Sequence, residues 1–584
     1  MQRHLLIVCL GILLQAGCAP WTTQLFRSQS PAEENEPSST RLVRDIAVPF
    51  GLFPIRVESV GLVTGLGGTG SDPAPSAERA ALVAEMSARG VDSPNTILAS
   101  KTTSLVLIRA VLRPGIQKGD HLDVEVRVPS RSETTSLRGG WLMQARLQEM
   151  GVMKDNQIHK GNTLALAEGP IMVDPSAQPG KDNVSLGRGR ILGGALALKS
   201  RPLGLVLTPG NQTVGNASRI ANVVNKRFHM TVKGIQTGVA KAKTDQLVEL
   251  AVHPRYKDNI DRYVEVVRAV AIRETSVERS ERLESLKRQL LDPATANSAA
   301  RQLEAIGRDA LDALREGLTH SDREVRFYAA ESLAYLDQRE AAEPLAQIAR
   351  DEPAFRVFAL SALGAMEDPA AYDQLVALLH QASAETRYGA YRALTSMRPN
   401  DPLVHGDPSI KDFHYSVVDT NAQPMIHVTS TRRPEVVLFG RQQWFGSPLS
   451  VNAGPHIMVT GLNANEISVS RYVVGQADQK RTVSCSVDEV VRAIVDLGGT
   501  YPDVVQALEE AKRVQALNSR FAVDALPEAG RSYVRGKKDE FDSAEEGGKV
   551  GESTPAKGDK DSENEQTPAK GRGFLAKMMG RGES

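Results

Sequence analysis

Hydrophobic and polar positions divide this chain into stretches of different period. Residues 55–60 alternate apolar with polar, the pattern of a half-buried strand. Residues 122–128 alternate strictly: Leu122, Val124, Val126 and Val128 stand against Asp123, Glu125 and Arg127, which predicts a strand with one wet face. Residues 104–111 are apolar almost throughout and predict a buried strand, and 246–252 predict another. Helical spacing takes over at 76–89 (Ala81, Leu82, Met86), at 217–227 (Ile220, Val223, Val224) and at 256–267. Strands and helices mix without a regular β–α–β alternation, so the expected class is α+β.

From about 278 to 397 β-branched residues thin out and an internal repeat emerges. Three stretches align in type and position: Arg326-Phe327-Tyr328-Ala329-Ala330-Glu331-Ser332-Leu333, Arg356-Val357-Phe358-Ala359-Leu360-Ser361-Ala362-Leu363 and Arg387-Tyr388-Gly389-Ala390-Tyr391-Arg392-Ala393-Leu394. An earlier copy, Ala299-Ala300-Arg301-Gln302-Leu303, fits the same frame, and the period is about 30 residues. Second helices are expected at 311–318, 342–349 and 372–379, with Asp322 and Asp351 as N-caps of the aligned helices. The recurring Ala and Leu positions allow close stacking of helix pairs, so the segment resembles HEAT-like helical repeats. Beyond it a strand pattern returns at 426–429, 435–439, 456–459 and 466–473, followed by helices at 487–497 and 501–516.

The two ends carry different information. Arg3 and His4 precede an apolar run from Leu5 to Leu14, too short to span a bilayer and suited to a secretory signal. The run ends Leu14-Gln15-Ala16-Gly17-Cys18, which resembles a bacterial lipobox with Cys18 as the acylated residue. Residues 19–40 read as a Ser/Pro/Glu-rich linker. After about 530 the chain is rich in Lys, Glu, Gly and Ser and repeats Thr-Pro-Ala-Lys-Gly at 554–558 and 567–571, so a disordered tail is expected over 530–584.

Composition narrows the function classes. Aromatic residues make up only 5%, so the cores are expected to be aliphatic. The 70 basic and 70 acidic residues cancel, which leaves no long-range field to draw in nucleic acid or an anionic membrane. Membrane contact is expected only through a lipid on Cys18. Cys485 is the one cysteine outside the signal region, so no intrachain disulfide is available to the folded body. Histidines are scattered without metal-ligand spacing, no G-x-S-x-G elbow appears, and the many carboxylates read as solvated helix faces. No cofactor, metal site or catalytic residue is expected. Gly65-Leu66-Gly67-Gly68-Thr69-Gly70 satisfies G-x-G-x-x-G, but Pro73 and Pro75 disfavour the immediate helix a dinucleotide site needs. The motif reads as a loop requiring positive φ. At 134–142, Gly139 and Gly140 follow a Ser/Thr run, which fits either a hairpin turn or a close approach by another backbone.

At these residues the chain resembles the flagellar basal-body P-ring protein family. The resemblance rests on residues 61–70, on Lys118-Gly119-Asp120-His121-Leu122-Asp123-Val124, on Thr135-Ser136-Leu137-Arg138-Gly139-Gly140, on 164–169 and, more weakly, on 189–191 and 218–222. It extends to two closing helices at 487–494 and 504–512. It implies an exported, non-enzymatic structural subunit of the periplasm that self-assembles into a ring around the flagellar rod, through the peptidoglycan and beneath the outer-membrane ring. The expected organisation is a signal at 1–18, the linker, a P-ring-like N-terminal segment at 41–275, HEAT-like repeats at 278–398, a P-ring-like C-terminal segment at 402–527 and the tail. Gly65, Gly67, Gly70, Arg138, Gly139 and Gly140 are the expected ring-assembly candidates, and an unknown protein is expected to bind the repeats. The alternative is a non-flagellar envelope lipoprotein scaffold whose repeats hold a protein partner.

Overall fold

The computed structural model describes residues 40–152, 158–178, 180–232 and 234–533. The expected signal at 1–18 with Cys18, residues 19–39 of the expected linker and the expected tail beyond 533 lie outside these; residues 530–533, expected to belong to the tail, are described. In chain order the first half runs β1 (Ala47–Phe50), β2 (Ile55–Thr64), α1 (Ala77–Ala88), α2 (Pro94–Leu98), β3 (Ser104–Leu112), β4 (His121–Arg127), β5 (Trp141–Val152), β6 (Ile158–Pro170), α3 (Asn183–Leu186), β7 (Arg188–Ala197), β8 (Leu203–Leu207), α4 (Val214–Arg227), β9 (His229–Val232), β10 (Ile235–Gly238), β11 (Ala240–Ala242), β12 (Leu247–Leu250) and α5 (Ile260–Arg268). Helices follow without strands: α6 (Ser276–Leu290), α7 (Ala296–Ile306), α8 (Leu311–Leu318), α9 (Arg323–Tyr335), α10 (Ala342–Asp351), α11 (Arg356–Ala365), α12 (Pro369–Leu378) and α13 (Ala384–Met397). The last part comprises β13 (His414–Val418), β14 (Met425–Val428), β15 (Glu435–Phe439), β16 (Ser450–Ala453), β17 (Ile457–Gly461), β18 (Glu466–Arg471), β19 (Gln479–Ser484), α14 (Val487–Asp496), α15 (Tyr501–Arg513) and β20 (Arg520–Val523). This is the α+β class with helical repeats that the patterning predicts. The chain forms two compact units that run across the segments drawn from sequence: described residues 40–52 with 202–344, and 53–201 with 345–533.

In the first unit, β1, β8, β12 and β11 form an antiparallel sheet. Asn225 of α4 caps the backbone of β11 from both sides, donating to the Ala240 carbonyl (2.8 Å) and accepting from the Ala240 N–H (2.7 Å). The first repeat helices belong to this same unit, held by a charge cluster. Arg262 of α5, 4% exposed, pairs with Glu304 of α7 and with Glu331 of α9 (2.5 Å), and donates to Ser332 Oγ (2.9 Å). Tyr256 donates to the other Glu304 oxygen (2.6 Å) and stacks on Tyr335, while Arg227 of α4 donates to the Glu304 carbonyl (2.8 Å). Glu304 and Glu331 sit on helix faces whose carboxylates the sequence assigns to solvent. They are buried because α5 supplies a guanidinium that no helical periodicity reveals. Desolvation raises the Glu331 carboxyl above its ordinary value, against the pull of Arg262 and Arg301. Burial would lower Arg262, but Glu304 and Glu331 outweigh it, so the guanidinium stays charged.

The second unit is built on a closed six-stranded barrel, in the order β2-β3-β4-β7-β6-β5 and antiparallel throughout. Its interior is aliphatic, with Val57, Val106, Val124, Leu142, Leu147 and Ala165 fully buried. The strict alternation of β4 becomes Leu122, Val124 and Val126 inside. The outer side of β3 is buried at Leu105, on which Leu82 and Met86 of α1 and Leu98 of α2 pack, whereas Val111 toward its other end is exposed. Ser76 caps α1 as a serine at that position should. In the same unit β13, β15, β14 and β20 form a mixed sheet, β16 to β19 form an antiparallel meander, and α14 and α15 close a second core. Cys485 is buried just beyond β19.

The repeat motif acquires a physical meaning. Arg326 donates to the carbonyls of His320 and Ser321 (both 2.7 Å), Arg356 to those of Ala349 and Arg350, and Arg387 to that of Gln381. Arg356 thus satisfies carbonyls in the last turn of α10, and Arg326 and Arg387 satisfy those of the turns just beyond α8 and α12. Asp322 caps α9 as expected. Asp351 does not cap α11: α10 runs on to include Asp351, which pairs with Arg350, and α11 opens after Phe355 without a side-chain cap. Of the later helices, α12 is capped by Asp368 and α13 by Ser383.

The cluster in the first unit makes a test. Arg262→Ala strands two buried carboxylates and is expected to destabilise the protein by about 3–5 kcal/mol in urea unfolding. Desolvation already raises the Glu331 carboxyl, and the variant removes the Arg262 charge that opposes it, so protonation of Glu331 favours the native state. Part of the loss should therefore return as pH falls toward 5, and a penalty unchanged between pH 8 and pH 5 would contradict the assignment.

Candidate assembly site

The two glycine-bearing loops lie side by side at one end of the barrel. Loop 65–70 follows β2 and loop 131–140 leads into β5, and the two strands pair with Thr64 opposite Trp141. The loops are zipped together: the Thr135 N–H donates to the Thr69 carbonyl (2.9 Å), and Thr69 Oγ1 donates to the Ser136 carbonyl (2.7 Å). Thr134 Oγ1 lies within hydrogen-bond distance of Ser71 (3.0 Å) and Ser104 (2.8 Å). α1 opens at Ala77, well beyond the loop, so its N-terminus lies outside the G-x-G-x-x-G motif.

The six candidate residues occupy unlike environments. Gly65 (φ +79°) is exposed, and a Cβ there would meet the Gly139 carbonyl at 3.6 Å. Gly67 faces open space. Gly70 is pressed on the 101–103 turn, where a Cβ would stand 2.1 Å from the Thr103 carbonyl oxygen. Gly139 (φ +75°) is where another segment approaches closely: a Cβ would lie 2.7 Å from Pro455 Cγ, in the turn between β16 and β17. Gly140 packs on Val63 and Leu66. Arg138 points inward along the chain and donates to the carbonyls of Asp174 (3.0 Å), Pro175 (3.4 Å) and Ala177 (3.1 Å).

Sequence reasoning did not anticipate where this leads. The loop that Arg138 braces carries Asp174, which lines a cleft of about 2020 Å³ between the outer face of the barrel and α15 with β20. Arg127 and Arg190 line the barrel side, and Glu509, Lys512 and Arg513 line the other. Glu509 is pushed up to about 7, first by desolvation and then by the Asp174 charge opposite. The spacing of α15 places Glu509 next to buried Leu508, but nothing local marks it as facing a second carboxylate. The barrel and the C-terminal body are also joined directly. Asp123 accepts from the Gly193 N–H (2.9 Å) with one oxygen and from the Arg432 N–H with the other, and Arg190 donates to the Ser430 carbonyl (3.2 Å).

Comparison with known proteins gives this geometry a context. A family profile described as Flagellar P-ring protein matches residues 43–280. The chain is similar to flagellar P-ring proteins. The P-ring-like match is followed by HEAT repeats at 281–357 and a PBS lyase HEAT-like repeat at 355–381. Curated relatives named Flagellar P-ring protein include one from Geotalea uraniireducens, 31% identical over 206 residues that make up 33% of this chain and 52% of the relative. One from Thermotoga maritima is 26% identical over 245 residues, 40% of this chain and 68% of the relative. One from Rhizobium etli is 32% identical over 233 residues, 38% of this chain and 58% of the relative. The chain thus spans between half and about two thirds of the length of these P-ring relatives. The P-ring match ends at 280, and residues 402–527 lie beyond it.

The cleft yields a pH test. Glu509 folds with its pKa raised from 4.5 to about 7, so its contribution is present below pH 4.5 and lost as pH rises through 7. Glu509→Gln is expected to match the wild type at pH 4.5 and to exceed it by about 1–3 kcal/mol at pH 8 in urea titrations. Equal stability of the two at pH 8 would show that the carboxylate is not strained by its surroundings.

Proposed function

We propose that the chain is a structural subunit of the flagellar basal-body P ring, assembling with copies of itself around the rod in the periplasm. The observation that carries this reading is the match of residues 43–280 to flagellar P-ring proteins. The packing of the C-terminal segment onto the barrel within one unit supports it, because residues 53–201 and that segment then act as one body despite the residues between them. Ring assembly needs a surface that meets a neighbouring copy by rotation. Gly67, with open space over its Cα, is the candidate best suited to such a contact. Arg138, Gly139 and Gly140 shape the loop from within. Peptidoglycan and the outer-membrane ring are the further neighbours in this reading, and acylation of Cys18 would tether the subunit to a membrane. The role is structural, not catalytic.

A second reading is favoured by the added HEAT repeats and by the partial coverage of the P-ring relatives. It is an envelope lipoprotein scaffold outside the flagellum whose repeats hold a protein partner. Imaging basal bodies isolated with and without the protein separates the two. Density for it around the rod supports the first reading, and intact rings in its absence support the second.

Loop variants sharpen the test. Gly67→Trp is expected to leave thermal stability unchanged and to lower ring occupancy in isolated basal bodies. Gly139→Val, forced into a left-handed conformation against Pro455, is expected to cost about 1–3 kcal/mol in folding whatever its effect on assembly. Normal rings from Gly67→Trp would remove this loop from the contact.

A further inference from the structure

The third position of the aligned repeat motif is Tyr328 in one copy and Phe358 in the next, but Gly389 in the last. The missing side chain is used. A Cβ on Gly389 would stand 2.6 Å from Leu360 Cδ1 of α11 and 3.2 Å from both Cγ and Cδ of Pro527, and Pro527 is buried there. Pro527 lies four residues beyond the end of β20. Four residues on, Arg531 forks onto Glu385 of α13, one contact being 2.7 Å, and Glu385 also takes Arg356 of α11 (3.0 Å). Two residues further, the Tyr533 ring lies on Phe355, with centroids 4.9 Å apart. Burial would raise the Glu385 carboxyl, but the two guanidiniums outweigh it and hold it below its ordinary value. Between these points Glu528, Ala529 and Gly530 are exposed.

The segment is therefore read at three side chains: an apolar seat for a proline, a carboxylate for an arginine, and an aromatic shelf for a tyrosine. This is how a groove recognises an extended peptide. The ion pair is partly exposed, Arg531 at 36% and Glu385 at 26%, and such pairs contribute only about 0.2–1 kcal/mol. An attachment of that kind opens readily. We propose that the surface made by α11 and α13 is a docking site for extended peptides of the pattern Pro-x-x-x-Arg-x-Tyr. Residues 527–533 of the chain itself fill it in cis, and a partner segment of the same chemistry displaces them. The site is independent of the ring reading, because it concerns the repeats and not the barrel loops.

The test uses the full chain and a fluorescent peptide copying residues 525–533, read by anisotropy. In the wild type the tethered segment competes at high effective concentration, so binding should be at least about tenfold weaker than in the Arg531→Glu/Tyr533→Ala variant, whose own segment is released. Adding Glu385→Gln to the released variant, or changing the peptide arginine to glutamate, should weaken binding at least about fivefold. Equal binding to wild type and released variant, binding indifferent to Glu385, or no binding to the released variant would each overturn the proposal.

Discussion

Buried charge that is fully partnered holds this fold together at the places where helical repeats interrupt an α+β body. In the first unit Arg262 gathers Glu304 and Glu331 from two repeat helices onto α5. In the second, Glu435 of β15, fully buried, accepts from Tyr388 (2.7 Å) and pairs with Arg392 (3.3 Å), both on α13. Each end of the repeat run is thus fastened to non-repeat structure by a carboxylate that water does not reach. Such clusters add little net stability over a well-packed apolar contact, but losing one partner is costly because the other is left uncompensated. Among the described residues no disulfide shares this task, Cys485 being free.

The repeats are consequently part of the compact units. The arginine that begins each aligned stretch serves carbonyls at the end of the helix before it or in the turn that follows that helix, which ties each step to its predecessor. The last step departs from the pattern where Gly389 admits Pro527, and there the repeat surface meets the chain's own C-terminal segment.

Local chemistry was largely legible. The alternation at 122–128, the buried run at 104–111 and the helical spacing at 326–333 all found their elements, because periodicity reports which face meets a core. The cap at Asp322 was legible for the same local reason. Asp351 misled because a cap residue and the last residue of a helix look alike in one dimension. Barrel closure through β2 and β5 was not legible, since it pairs residues far apart in sequence and nothing in either strand names its partner.

The amino-acid sequence by itself determined the element types, the repeat and its period, the aliphatic core of the barrel (though not the buried tyrosines and phenylalanines elsewhere) and the family to which residues 43–280 are similar. Tertiary structure alone decided which carboxylates are buried, that Gly139 meets Pro455, that Asp174 faces Glu509, and that residues 527–533 lie on α11 and α13. The reason is physical. Periodicity and capping depend on neighbours a few residues away, whereas desolvation, pairing and close approach depend on which distant segment folding brings alongside.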